Sequence, residues 1–153
     1  MKTEHYFARG QNNIKYVGDN FRTWFSGVPV KVPNECTLFS KTLERPMNDS
    51  EILAKLKPTE LTLGEVAYAI KKVLPKTEWN IFYVRDKANT LRAVHVYWSS
   101  VDGGWHVSAP VVAYPYGWNG GYRVFSRNSF EASDDSLLEK FREKVEGVLR
   151  IET

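Results

Sequence analysis

The sequence predicts a single α+β domain over residues 1–153, with an antiparallel meander sheet of four or more strands and two or three helices packed mainly on one face. Three observations support this fold class. Alternating or β-rich segments follow one another between Trp79 and Arg127 and are separated by turn signals. Apolar residues recur at helical spacing before and after this stretch. At 153 residues, one domain can bury roughly two-thirds of the surface of the unfolded chain.

Residues 1–47 form an irregular, β-rich amino-terminal part in this prediction. Its β-rich pieces are short and are interrupted by glycine and proline, which weaken or end a strand. We therefore expect short strands and loops here, at Ile14–Val17, Phe21–Phe25, Val28–Val32 and Thr37–Ser40.

Residues 48–74 carry two helical patterns, and each begins with the spacing of a capping box. Asn48 stands three residues before Glu51, and Thr62 stands three residues before Glu65. In each pair the two side chains can bond to backbone N–H groups that the first helical turn leaves without a partner. Apolar residues then recur at helical spacing until a proline ends the pattern, so we expect two helices.

A further helix is expected after the meander, over residues 134–150. Ser133 and Asp134 can accept hydrogen bonds from the first N–H groups of this helix, and apolar residues recur along one side of it. The two amphipathic helices that flank the meander are expected to cover one face of the sheet.

The meander itself is expected over residues 79–127. Lys87–Thr90 and Asp102-Gly103 join its first three strands, and Asn119-Gly120 leads into the fourth. Turns of even length preserve the alternation of side chains from strand to strand. One face, the expected core face, then holds Trp79, Ile81, Tyr83, Val94, Val96, Trp98, Trp105, Val107, Ala109 and Val111. The opposite face holds Phe82, Val84, His95, Tyr97, Ser99, His106, Ser108, Val112 and Tyr114, followed by Arg123, Phe125 and Arg127.

Aromatic content is the outlier in the composition. Five Trp, eight Tyr and eight Phe make up 14% of the chain, which is more than one small core usually needs. Some of these rings are therefore expected at a surface or an interface. The formal charge of +3 is a mild bias, which permits contact with nucleic acid without requiring it.

The sequence carries no motif for catalysis, phosphate binding or metal binding, so we expect no cofactor and no metal. Cys36 is the one cysteine, and no disulfide can form within the chain. No apolar run has the length of a signal peptide or of a membrane span. We expect a cytoplasmic protein that does not contact a membrane.

Two histidines stand in segments that can be set beside the paired His-x-Thr/Ser elements of two-histidine phosphoesterases. His106-Val-Ser108 has this pattern, whereas His95-Val-Tyr97 departs from it. The expected pairing places His95 opposite Pro110, which separates the two imidazoles by roughly 13 Å along the strands. Since that distance is too long for a shared phosphodiester, we infer no relationship to this family.

Two features indicate binding. The opposite face mixes aromatic, imidazole and guanidinium groups, and residues 114–122 place aromatic rings on a glycine-rich hairpin loop, as binding loops do. We therefore expect a non-enzymatic binding protein whose ligand is a protein partner. Its binding residues are expected to be Phe82, Tyr97, Tyr114, Tyr116, Trp118, Tyr122, Arg123, Phe125 and Arg127, with polar contacts from His95 and His106.

Two alternatives belong to other functional classes. Single-stranded nucleic acid, RNA or DNA, can stack its bases on exposed rings of the same face while Arg123 and Arg127 neutralise phosphates. A small enzyme requires a site assembled around His95, His106 or Cys36 from residues distant in the sequence. A third reading needs no ligand, because the first sixty residues contain enough aromatic side chains to bury this face themselves.

Overall fold

The computed structural model describes residues 1–110 and 117–130, and within these ranges the chain is α+β, with four helices and a six-stranded sheet. The helices are α1 (Thr3–Tyr6), α2 (Asp19–Phe25), α3 (Asp49–Lys55) and α4 (Leu63–Lys72). The strands are β1 (Ile14–Val17), β2 (Phe39–Thr42), β3 (Trp79–Arg85), β4 (Leu91–Ser99), β5 (Gly104–Ser108) and β6 (Arg123–Ser126). Outside the described residues lie the helix expected over 134–150 and the predicted positions Val111, Val112, Tyr114 and Tyr116.

The sheet is mixed, with the strand order β1-β5-β4-β3-β6-β2. As predicted, β3, β4 and β5 are consecutive antiparallel neighbours. However, β1 lies parallel to β5, and β6 lies parallel to β3, so the expectation of a purely antiparallel meander is wrong. Long-range pairing explains the position of β6. The loop before it bonds to residues 43–47, where Trp118 donates to Met47 at 2.7 Å and Leu43 donates to Tyr122 at 2.8 Å.

The turn between β3 and β4 reverses the faces expected for β3. Arg85 pairs with Leu91, one residue away from the expected register. Asp86 closes this turn, because its carboxylate accepts the backbone N–H groups of Ala88 and Thr90, both at 2.9 Å. A shift of one residue moves every side chain of a strand to the other face. The expected core residues Trp79, Ile81 and Tyr83 therefore exchange faces with Phe82 and Val84.

Each face of the sheet borders its own hydrophobic core. The first face, which holds Phe82, Val94 and Val107, packs against the segments that contain α1, α2 and α4. The second face, which holds Tyr83, His95 and Tyr97, is covered on its β3–β6 side by α3 and residues 43–47. Three of the four described helices thus share one face, whereas α3 lies alone on the other.

The segment Phe21–Phe25 was expected as a strand but forms α2. Phe21 and Phe25 are four residues apart, so a helix places both rings on one side, where they stack at 4.9 Å and are fully buried. Burial against the sheet overrides the β propensity of phenylalanine here. The expected strands at residues 14–17 and 37–40 appear as β1 and, shifted by two residues, β2.

Helices α3 and α4 begin at the predicted capping boxes. The Asn48 side chain accepts from the Glu51 N–H at 2.9 Å, and the Thr62 side chain accepts from the Glu65 N–H at 3.1 Å. Each glutamate also accepts the backbone N–H of its capping partner. None of the helices in the described ranges combines the length and the apolar character that crossing a membrane requires.

Candidate interaction surface

Five ring side chains stand next to one another across the second face of the sheet. Register pairing joins Tyr16 to His106, His106 to Tyr97 and Tyr97 to Trp79, on the neighbouring strands β1, β5, β4 and β3. Tyr122, just before β6, follows Trp79. The centroid distances between successive rings are 5.1, 4.9, 4.0 and 5.5 Å. We call these five residues the aromatic row.

Two members of the aromatic row are well exposed. Tyr16 keeps 50% of its surface accessible and Trp79 keeps 41%, whereas the other three rings are half-buried. The Trp79 indole lies between Tyr97 and Tyr122, with interplanar angles of 14° and 12°. Since rings already stack on both of its faces, Trp79 presents its edge to the outside.

A chain of hydrogen bonds holds the middle of the aromatic row. The Asp102 carboxylate lies 2.6 Å from His106 Nε2, and His106 Nδ1 lies 2.9 Å from the Tyr97 hydroxyl. With a neutral imidazole, Nε2–H donates to the carboxylate and Nδ1 accepts from the hydroxyl, an assignment that follows from the partners. Asp102 lies in the turn between β4 and β5, where its N–H donates to Ser99 Oγ at 3.2 Å.

This order of groups is also that of a general-base relay, but the Tyr97 hydroxyl is poorly suited to act as a nucleophile. Burial raises the pKa of Tyr97, and the Asp102 carboxylate raises it further. The hydroxyl therefore remains a hydrogen-bond donor at neutral pH, and its bond to His106 positions the two rings.

His95 packs behind the aromatic row and is only 9% exposed. Its ring lies 5.0–5.4 Å from the rings of Trp79, Tyr97, Trp118 and Tyr122. Nε2 has no hydrogen-bond partner in the part of the chain that the structure describes. Burial lowers the pKa of His95 to about 4, so the imidazole is neutral at pH 7. His95 supports the rings from within, and burial leaves it little surface for the expected polar contact.

The first turn of α3 fixes the loop that carries Trp118 and Tyr122. Asp49 Oδ1 accepts from Trp118 Nε1 and from the Tyr83 hydroxyl, both at 2.7 Å. Burial, with Asp49 nearby, raises the pKa of Tyr83 far above its ordinary value, so this hydroxyl stays a donor. Trp118 thus ties the loop to the sheet from behind, while Tyr122 closes the aromatic row.

Phe82 and Phe125 do not belong to an accessible surface, and the expectation that they do is wrong. Both rings are fully buried in the core of the first face, where they stack at 4.8 Å. Phe82 is there because of the register shift of β3. Phe125 is there because β6 pairs with β3. The faces to which the β6 side chains point therefore follow from β3 and no longer from β5.

Arg123 and Arg127 lie on the side of the first face, away from the aromatic row. The Arg123 guanidinium lies 5.1 Å from the Phe125 ring centroid and donates to Ser40 at 2.7 Å. Arg127 donates two hydrogen bonds, at 2.9 and 2.6 Å, to the carboxylate of Glu65 on α4. Both guanidinium groups are thus engaged within the chain.

Burial raises the pKa of Glu65, but the hydrogen bonds from Arg127 and from the Thr62 backbone outweigh it and hold this pKa below its ordinary value. Replacing Arg127 by alanine leaves a buried carboxylate without its cation. We expect Arg127→Ala to lower the free energy of unfolding by about 2 kcal/mol at pH 7, measured by urea denaturation.

Arg22→Ala is the control, because the Arg22–Asp19 pair is exposed and its loss should cost less than about 0.5 kcal/mol. The difference between wild type and Arg127→Ala should shrink as the pH falls toward the lowered pKa of Glu65, because protonation removes the Glu65 charge. Equal costs for the two arginine variants would contradict a structural role for Arg127.

The alternative enzyme site would need Cys36 beside the strand histidines, and Cys36 lies elsewhere. Burial and the Glu65 carboxylate raise the pKa of Cys36, and Arg127 opposes this rise, so the thiol lies near the Glu65–Arg127 ion pair. His95 pairs with Ser108 and not with Pro110, because four residues form the turn between β4 and β5. The two strand histidines are therefore diagonal neighbours about 7 Å apart, closer than expected.

Sequence reasoning missed Tyr16, Trp79 and Asp102 as members or supports of the surface. One local signal was available for Trp79. Asp86 can accept backbone N–H groups two and four residues ahead, which makes the following turn odd in length and turns Trp79 to the second face. Tyr16 had no such signal, since its pairing with His106 joins residues ninety positions apart.

Comparison of the chain with protein-family models, with curated proteins and with solved structures gives no match.

Proposed function

We propose that this chain is a non-enzymatic binding protein that holds a protein partner on the aromatic row. The observation that supports this function best is the exposure of Tyr16 and Trp79, at 50% and 41%, in a row whose other rings are half-buried. Burial of partly exposed Tyr and Trp side chains supplies a large share of the binding energy at protein interfaces.

The surface is already ordered before any partner arrives. Ring stacking holds Trp79, and the hydrogen bonds from Asp102 through His106 to Tyr97 hold the middle of the row. A partner would therefore lose little binding energy to the ordering of these side chains. Rigid rings in fixed positions favour a partner of complementary shape.

Binding of single-stranded nucleic acid has less support from this arrangement. The proposed phosphate contacts, Arg123 and Arg127, lie on the side of the first face and bond within the chain. Both faces of Trp79 are occupied, whereas a base needs an open ring face to stack on.

Site-specific photo-crosslinking in extract of the native cell tests the proposal. A photoreactive phenylalanine is placed at Tyr16, at Trp79 or, as a control, at Phe39. Phe39 is 40% exposed, which matches Trp79, but it lies on β2 at the opposite edge of the sheet. We expect the same protein adduct from the two row positions, resistant to nuclease, and none from Phe39.

Once the adduct is identified, the affinity of the purified partner can be measured. Trp79→Ala should weaken binding by at least roughly tenfold, while Phe39→Ala should leave it unchanged. Equal adducts from all three positions, or adducts that disappear after nuclease treatment, would reject a protein-binding row.

A further inference from the structure

The aromatic row holds two hydrogen-bond donors that have no partner among the described residues. They are the Tyr16 hydroxyl and Trp79 Nε1–H, and they belong to the two most exposed rings, at 50% and 41%. His106 and Tyr97, which lie between these rings, bond to each other and to Asp102. An indole N–H can only donate. The unpaired polar groups of the row therefore favour a ligand that is rich in hydrogen-bond acceptors.

The exposed Tyr16 end of the row carries both signs of charge and no excess of either. The rings themselves are uncharged when the His106 imidazole is neutral. Asp102 supplies a negative charge at this end and Lys15 a positive one. The stem of Lys15 lies over the β4–β5 hairpin, where a Cβ on Gly104 would lie 2.2 Å from Lys15 Cγ. Such a surface favours an uncharged segment over an acidic or a basic one.

The row is too small for the contact that two folded proteins usually make. Its successive centroid distances of 5.1, 4.9, 4.0 and 5.5 Å limit its length to about 20 Å. An aromatic side chain has roughly 150–250 Å² of surface, so the exposed parts of the five rings amount to roughly 300–500 Å². A stable interface between folded proteins, a second copy of this chain included, buries about 800 Å² on each partner. A short linear segment suits this area better.

From these features we infer that the aromatic row binds a proline-rich segment of its protein partner in the polyproline II conformation. This inference rests on the proposed function and specifies the chemistry of the partner. Proline has no N–H group, and a polyproline II helix makes no internal hydrogen bonds, so its carbonyl groups are free to accept from Tyr16 and Trp79. Such a segment is uncharged and is already rigid before it binds, so little conformational entropy is lost.

The spacing of the two donors fits this conformation. Centroid distances of 5.1, 4.9 and 4.0 Å lead from Tyr16 to Trp79, so the two rings are at most about 14 Å apart. A polyproline II helix rises about 3.1 Å per residue, and about four to five residues cover this distance. The rings of His106 and Tyr97 lie between the two donors and offer the aromatic contact on which proline side chains pack.

Isothermal titration calorimetry of the full chain with synthetic peptides tests the inference. The probe is a blocked polyproline peptide of about ten residues, and the control peptide is a blocked Gly-Ser repeat of the same length. We expect the polyproline peptide to bind at least roughly tenfold more tightly than the Gly-Ser peptide.

The double variant Tyr16→Phe/Trp79→Phe keeps an aromatic ring at each position and removes both donors. It should weaken the polyproline peptide by roughly tenfold or more. Tyr68→Phe, which removes a hydroxyl from α4, is the control and should leave the affinity unchanged. Unaltered circular dichroism and melting temperature of each variant establish that it is folded.

The inference is overturned if the polyproline peptide binds no more tightly than the Gly-Ser peptide, or if the double variant binds it as tightly as wild type does. It is also overturned if the photo-crosslinked adducts at positions 16 and 79 join a second copy of this chain, or a partner segment that lacks proline. Failure of the proposed function is a separate result, because it is seen as the absence of protein adducts at these positions. Adducts at both positions with no preference for polyproline would reject the proline-rich ligand alone.

Discussion

Replacing Gly64 by alanine is expected to destabilise the protein by about 3 kcal/mol or more. A Cβ built on Gly64, in the first turn of α4, would lie 1.8 Å from the carbonyl oxygen of Lys31 and 2.5 Å from its carbonyl carbon. These are backbone atoms, so no side-chain rotation can relieve the overlap. Either α4 or the chain at Lys31 must move, and α4 carries a large part of the core of the first face.

Helix propensity alone predicts that Gly64→Ala stabilises the protein, because alanine is favoured over glycine by about 1 kcal/mol in a helix. The measurement is urea denaturation of Gly64→Ala against wild type. Gly120→Ala is the matched control, since its Cβ would meet Arg45 Cα at an ordinary distance of 3.5 Å. We expect the control to change stability by less than about 0.5 kcal/mol. A stabilised Gly64→Ala variant would show that α4 does not lie directly on residue 31.

Lowering the pH is expected to reduce the free energy of unfolding by about 3 kcal/mol through His95 alone. This loss occurs between the pKa of histidine in the unfolded chain and the pKa of the buried ring. Burial lowers the pKa of His95 from 6.5 to about 4 in the folded protein. Within that window the unfolded state binds a proton and the folded state does not. Stability contributed by the neutral ring is therefore complete above about pH 6.5 and falls as the pH decreases toward 4.

His95→Phe should abolish this part of the pH dependence. The two rings are similar in size, and phenylalanine removes a buried nitrogen that has no hydrogen-bond partner among the described residues. Stability at pH 7 should therefore be nearly unchanged. Urea denaturation at a series of pH values measures the slope, and His5→Asn, at an exposed position, is the control. If His95→Phe keeps the wild-type slope, protonation of another group causes the acid sensitivity.

The local elements of this protein could be predicted where the signal lies within a few residues. The capping pairs Asn48–Glu51 and Thr62–Glu65 located the starts of two helices, and alternation located β3, β4 and β5. The prediction of which β4 and β5 side chains share a face was also correct. The turn between the strands is two residues longer than expected, and a change of two residues preserves the alternation of side chains.

The candidate surface was predicted less well, because it depends on contacts between distant parts of the chain. One residue more or less in the turn at Asp86 decides whether Trp79 or Phe82 faces the aromatic row. The pairing of β6 with β3 decides on which side Arg123 and Arg127 lie. Of the residues expected to bind, Tyr97 and Tyr122 lie in the aromatic row and Trp118 lies behind it.

Capping, alternation and composition are local properties, so they predict most of the helices and strands in the described residues and lead us to expect an aromatic surface. Which rings stand together and which are buried depends on tertiary contacts. Strand order, register and the close approach of Gly64 to Lys31 arise from side chains and backbone far apart in sequence. Their energies depend on packing in three dimensions, which no window of neighbouring residues contains.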